Sequence, residues 1–248
     1  MNALRKLIAV QAKLFFREPA AFFFTLILPA FLLIIFGAIF GNTPDPRFNS
    51  KLGYIDAEVP GITAIIIATV ALMGIPISTA EEREKQILRR YRATPLSPIT
   101  YLTATITVYF SMALLGMFVL IAIAKIFFGL RFEGSWLSVF AGFSLSALAF
   151  FAVGYVIASL APTTRVAQVA GQILFFPMMF LSGATFPLQM MPAGVQRVSE
   201  FLPLTHVIRF LQGLWAGNSW GTHSTEIVIL LVMLIVGAFI SSKTFRWE

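Results

Sequence analysis

Glu81 and Glu82 stand side by side where a long apolar run ends, and paired carboxylates at a membrane edge are one way to activate a hydrolytic water. An intramembrane peptidase of the Glu-Glu-x-x-x-Arg pattern would need arginine at position 86, which holds Gln86. The only two histidines, His206 and His223, fall on the opposite predicted side of the membrane from the glutamates. Two histidines, with no cysteine and no acidic residue deep inside a predicted span, do not make a metal centre. The lack of cysteine also removes disulfide and thiolate chemistry. No G-x-x-x-x-G-K-[ST] cradle for phosphates occurs in the sequence. The chemistry these residues offer is therefore recognition rather than catalysis.

Eight of the twelve residues from Glu81 to Arg92 are charged, in a chain where only 12% are. Acids crowd the first turn and bases the last, matching the helix dipole, and Glu81 and Lys85 form a favourable i,i+4 pair. The pattern predicts one short helix over 81–92. Ile87, Leu88 and Tyr91 recur at spacings of three and four, giving it an apolar edge of the size that fits a protein groove. Pro95 ends that helix, and Ser97-Pro98 caps and opens the next.

The elements around the island must be membrane spans, because 58% of the residues are hydrophobic and no water-soluble surface of this size tolerates that. Apolar runs predict six transmembrane helices at 20–40, 61–79, 99–128, 136–160, 166–186 and 225–242. The first run is too long for the core of a signal peptide, so it is expected to be retained. With these spans the whole formal excess of +7 falls on one side, with Arg5, Lys6, Lys13, Arg17, the island, Arg165 and Lys243. That asymmetry predicts a multi-pass protein of the cytoplasmic membrane with both termini in the cytoplasm, and it accounts for the basic charge without nucleic acid. The loop from Asn42 to Pro60 is expected outside, too short for a folded domain.

Residues 1–18 place Leu4, Leu7, Ile8, Leu14 and Phe15 near one stripe, the pattern of an amphipathic interfacial helix. Span four carries small residues from Gly142 to Gly154, as a closely packed helix in lipid does. Pro177 is expected to kink span five. Pro187, Pro192 and Pro203 cut the following segment into pieces too short to span, which predicts a re-entrant helical hairpin over 192–214 near the outer surface.

The basic amphipathic N-terminus, the Glu82-Arg83-Glu84 helix leading to Thr94-Pro95-Leu96-Ser97, and Ser182-Gly183-Ala184-Thr185-Phe186-Pro187 ahead of Leu202-Pro203-Leu204-Thr205-His206 together resemble the ABC-2 type transporter permeases. The resemblance covers essentially the whole chain. It implies an all-α type V ABC exporter fold, with 81–92 as a coupling helix that docks on a separate ATP-binding cassette subunit. ATP and Mg²⁺ would bind in that subunit, and this chain would hold no cofactor. A second copy of the permease, or a paralogue, would sit beside it among the membrane lipids. On this reading Glu82, Arg83, Glu84, Ile87, Leu88, Arg90 and Tyr91 couple to the motor. Thr69 and Met73 of span two and Phe175, Phe176, Met179 and Phe180 of span five would line the substrate path between copies. Pro187, Pro203, His206 and Arg209 would form an outer gate. The absence of an outer domain resembles the compact drug, lipid or polysaccharide exporters.

A channel or an immunity-type membrane protein without a motor is the alternative, and an intramembrane enzyme a further one. Charge deep in a span would favour conduction, but only Lys125 approaches that, and it can snorkel to the interface. The topology itself is testable in this cysteine-free chain. Single cysteines introduced at Gln86 and at Ser50 are expected to react with a membrane-impermeant maleimide from opposite sides; labelling of both from outside would overturn the charge-based orientation.

Overall fold

The computed structural model describes residues 2–44, 52–92, 98–188 and 191–244, leaving aside the side chains of 2, 3, 20, 90–92, 98 and 99. The expected Thr94-Pro95-Leu96-Ser97 stop and the Arg90 and Tyr91 side chains lie outside what is described. The described residues are helical, without strands. We number the helices α1 (Asn2–Arg17), α2 (residues 19–40, including a π turn at Phe23–Ile27), α3 (Tyr54–Glu84, with a π turn at Val70–Gly74), α4 (Ile87–Arg92) and α5 (Pro98–Phe128). There follow α6 (Trp136–Leu160), α7 (Thr164–Leu181), α8 (Ala193–Ser199), α9 (Pro203–Trp215) and α10 (Ser224–Thr244, entered through a 3₁₀ turn at Trp220–His223). Six of these, α2, α3, α5, α6, α7 and α10, are long and apolar enough to cross a membrane.

α3 is the axis of the bundle. It packs against α2, α5, α6, α7 and α9, and 78% of its span is buried, against 11% for α10 and 17% for α7. At 31 residues it is about 46 Å long, well beyond the roughly 30 Å of hydrocarbon, so both of its ends can reach polar surroundings.

This length corrects the expected span two, which began at residue 61. The residues from Tyr54 to Pro60 are not loop but the first two turns of α3, although Pro60 lacks the N–H that would bond the Asp56 carbonyl. What holds them helical is the Asp56 carboxylate, which accepts the Gly53 amide at 2.9 Å from the third helical position. Asp56 and Glu58 are consequently buried inside a span, so Lys125 is not the only charged residue there. Lys125 itself donates to the Leu130 carbonyl at 3.2 Å at the end of α5.

The amphipathic stripe of α1 also differs in detail. Leu7, Gln11 and Phe15 face inward against α5, while Leu14 is 52% exposed. Gln11 is admitted to that face because its amide donates to Thr105 Oγ at 2.8 Å. The segment expected as a hairpin holds α8 and α9, whose inner face from Leu204 to Trp215 is almost wholly buried.

Close backbone approach fixes α3 at mid-height. A Cβ on Gly154 of α6 would lie 2.1 Å from the Ala71 carbonyl oxygen, and one on Gly171 of α7 would lie 2.2 Å from that of Leu72. Both carbonyls belong to the π turn of α3, whose widened backbone lets helices come this near. Gly154→Val and Gly171→Val are each expected to destabilise the protein by at least about 1–3 kcal/mol, because the obstacle is backbone and cannot rotate away. Thermal unfolding in detergent measures this, with Gly194→Ala, which meets nothing within 4 Å, as the neutral control.

Candidate functional site

Successive residues of an α-helix point about 100° apart, so three in a row can reach three different neighbours. Glu82, Arg83 and Glu84, in the last turn of α3, do this. Glu82 accepts the Tyr101 hydroxyl of α5 at 2.5 Å. Arg83 donates through its two terminal nitrogens to the Ala161 and Ala158 carbonyls, at 2.9 and 3.0 Å, closing the C-terminal end of α6. Glu84 accepts the Thr164 amide at 2.9 Å and the Thr164 hydroxyl at 2.6 Å, closing the N-terminus of α7. A cation on orphan carbonyls and an anion on an orphan amide each match the dipole of the helix they cap. The three charges thus clamp α3 to three other spans, and none of them needs a second polypeptide to be satisfied.

Beyond this clamp the charged island is interrupted, where the sequence predicts one continuous helix. α3 ends at Glu84, Gln86 takes a left-handed conformation with φ 59°, and α4 starts at Ile87. The cause is a tertiary contact that outweighs local propensity. The turn swings Leu88 into a fully buried cluster with Leu7 of α1 and Tyr101 and Ala104 of α5. Leu88 is therefore an internal anchor of α4 rather than an exposed docking edge, and Ile87 is half-buried. What this end presents to solvent is Lys85, Gln86 and Arg89, with Arg165 on the adjoining turn of α7.

Lys85 pairs with Glu81, which holds the ammonium above its ordinary pKa by hydrogen bonding and charge. Glu18, at the joint between α1 and α2, lies near the same pair. Burial lifts its carboxyl above the usual range, and Glu81 adds to the rise while Lys85 opposes it. Glu18 at the end of the N-terminal helix is thus coupled by charge to Glu81 and Lys85 beside the clamp.

The residues expected along a substrate path separate into two groups. Thr69 is buried and its hydroxyl donates to the Ile65 carbonyl at 2.8 Å, and Phe175 and Met179 face the core. Phe176 and Phe180 are 42% and 50% exposed and continue a stripe with Val169 and Ile173 on the outer side of α7. Met73 is half-buried. Five helices enclose the first five turns of α3, which are buried within the chain.

At the far end of α3 a second clamp appears, which sequence reading missed. Asp56 is fully buried and accepts the Asn42 side-chain amide at 2.9 Å and the Arg131 backbone amide at 2.8 Å, in addition to Gly53. The Arg131 guanidinium lies 3.7 Å away. Asp56 therefore joins the end of α2, the start of α3 and the α5–α6 connection. The signal was the Gly53-x-x-Asp56 spacing of a helix start, overlooked because Pro60 reads as a boundary. Of the expected outer residues, His206 and Arg209 both turn to Glu200, through its carbonyl at 3.0 Å and its carboxylate at 4.0 Å, and Pro203 opens α9. Pro187 and Arg209 line a cavity of about 630 Å³ that also reaches Glu58, His223 and Glu226. His206 and Pro203 do not line it.

Residues 2–215 match the family model described as ABC-2 type transporter. Among individual relatives, "Nodulation protein J" of Rhizobium leguminosarum bv. viciae is 30% identical over 103 residues, 42% of this chain and 40% of that one. "Probable multidrug ABC transporter permease YbhS" of Escherichia coli K12 is 26% identical over 162 residues, 64% of this chain and 43% of that one. The match thus spans less than half the length of either relative. "Putative transport permease ycf38" of Cyanophora paradoxa is 24% identical over 259 residues, covering 98% of this chain and 88% of that one.

The two-carbonyl grip of Arg83 carries a specific expectation. Arg83→Met removes the charged donor from the end of α6 and is expected to cost about 1.5–3 kcal/mol of stability in thermal unfolding. Arg83→Lys is expected to restore only part of this, since one ammonium does not reproduce a planar fork. Full restoration by lysine would overturn the two-carbonyl geometry.

Proposed function

The chain belongs to the ABC-2 type transporter family, and on that premise we propose that it is the membrane permease subunit of an ATP-binding cassette exporter. Its cargo on this reading is an amphipathic or lipid-like molecule. The observation that carries the mechanism is the Glu82-Arg83-Glu84 clamp, which ties the end of α3, from which α4 follows after the turn at Gln86, to α5, α6 and α7 at once. A push on α4 by a separate motor reaches four spans through charged contacts rather than through a flexible loop.

The motor reads the exposed Lys85, Gln86 and Arg89, with Arg165 beside them, while Leu88 holds α4 against α1 and α5. Glu82, Arg83 and Glu84 then act as transmitting residues rather than as contacts of the motor. The excess basic charge at this end supports a cytoplasmic side here in a cell-membrane protein, with both termini on that side. ATP and Mg²⁺ belong to the motor, since this sequence has no phosphate cradle.

A second copy of the chain or a paralogue completes the pathway, and the outer stripe of α7 from Val169 to Phe180 faces it or lipid. The α8–α9 pair dips into the outer leaflet and returns, with α9 packed against α3, α6 and α10 and α8 against α7.

Alone, the purified chain is expected to hydrolyse no ATP, and to co-purify with a Walker-motif subunit expressed beside it. In such a complex reconstituted in vesicles, Glu84→Ala with Arg83→Met is expected to leave ATPase activity within about twofold and to lower cargo export at least about tenfold. Equal loss of both activities, or export unchanged, would overturn transmission through the clamp. ATPase activity that survives removal of every partner would overturn the two-polypeptide reading.

A further inference from the structure

The 630 Å³ cavity at the Asp56 end lies within one chain, between the start of α3, the α7–α8 connection, α9 and the start of α10. Its size is that of a pocket for a small organic molecule. Leu52, Ile208 and Trp215 give it apolar wall, and Glu58, His223 and Glu226 supply charge.

Glu58 is 2% exposed, and its Oε1 has no hydrogen-bond partner. A carboxylate in that position costs several kcal/mol unless something neutralises it. Asp56, two residues earlier, has its partners in Gly53, Asn42 and Arg131. Among the described residues no hydrogen bond or ion pair comparable to these reaches Glu58. The other side chains in the wall do not offset it either. Arg209 is turned to Glu200 at 4.0 Å, and His223 Nδ1 lies 3.8 Å from Glu226 Oε2 while its Nε2 is buried without a partner. The His223 ring is laid against α9 by Gly213, where any Cβ would come within 1.9 Å of Nε2.

Among the described residues no three His, Asp or Glu converge closely enough to hold a metal ion. Trp215 also borders the cavity.

We propose that this cavity binds an organic cation, a protonated amine on an apolar body, whose ammonium is received by Glu58 with Glu226 supplying further negative potential. The inference does not rest on the exporter reading, because the site is built within a single chain and needs neither motor nor second copy.

The test is binding of 2-phenylethylamine and of its neutral counterpart 2-phenylethanol to the full chain in detergent, by calorimetry and tryptophan fluorescence. The amine is expected to bind saturably and at least about tenfold more tightly than the alcohol, and Glu58→Gln to weaken the amine at least about tenfold while leaving the alcohol within about twofold. Absence of saturable amine binding, equal affinity for the two probes, or full amine affinity in Glu58→Gln would each overturn the site. Should Glu58→Gln fail to fold, Glu226→Gln decides: a loss of at least about threefold for the amine alone supports the site, and no loss overturns it. Both readouts are made without ATP or a partner, so they stand or fall separately from export.

Discussion

A charge placed in hydrocarbon has to be neutralised or bonded by protein, because no water is there to do it. α3 is the most enclosed span of the bundle and carries acids near both ends, so this demand shapes its surroundings. At one end Asp56 collects the loose ends of α2 and α5. At the other, Glu82, Arg83 and Glu84 take hold of α5, α6 and α7. The remaining spans are thus positioned by what α3 requires at its ends as much as by apolar packing along its length.

Between the two ends the contacts are of a different kind. Lipid tails are as apolar as leucine, so burial alone gives helices little reason to associate, and close backbone approach takes its place. Gly154 and Gly171 bring α6 and α7 onto the π-turn carbonyls of α3. The Ala80, Ala161 and Ala167 cluster continues the small-residue contact to the clamp. α2, α7 and α10, with at most 22% of their spans buried, close the outside of the bundle with large apolar side chains. Phe175 and Met179 on one side of α7 and Phe176 and Phe180 on the other show the two demands within a single helix.

The six spans were legible in the sequence because apolar runs of the required length have no other reading in a chain of this composition. The break in the charged island was not. Residues 81–92 have the charge order of a good helix, and only burial of Leu88 against Leu7 and Tyr101 explains why the backbone turns at Gln86. Local pattern also misplaced the start of α3, since Pro60 and two acids read as loop until Asp56 is seen to be bonded from three directions. Gln11 and Leu14 exchanged places for the same reason. A polar side chain with a partner is buried, and an apolar one facing lipid is left exposed, which hydrophobic periodicity cannot distinguish. The Glu82-Arg83-Glu84 string stands out in the sequence by its charge, but its partners are two helix ends and a tyrosine of the same chain, and spacing carries no information about those.

Asp56 and Glu58 make the clearest contrast in the molecule. They lie two residues apart, which turns their side chains about 200° from one another around α3. Asp56 points to the junction of α2 with the α5–α6 connection, where chain ends offer free amides and an arginine. Glu58 lines the cavity shared with α9 and α10, where Gln212 is already committed to the Ala57 carbonyl at 3.0 Å and His223 leans toward Glu226. The same residue chemistry, on one turn of one helix, is thus a structural tie on one side and an unfilled demand on the other. Both residues line the same cavity, and hydrogen bonding settles which is which: the Asp56 carboxylate is taken up by Gly53, Asn42 and Arg131, and Glu58 Oε1 is left for what the fold itself does not provide.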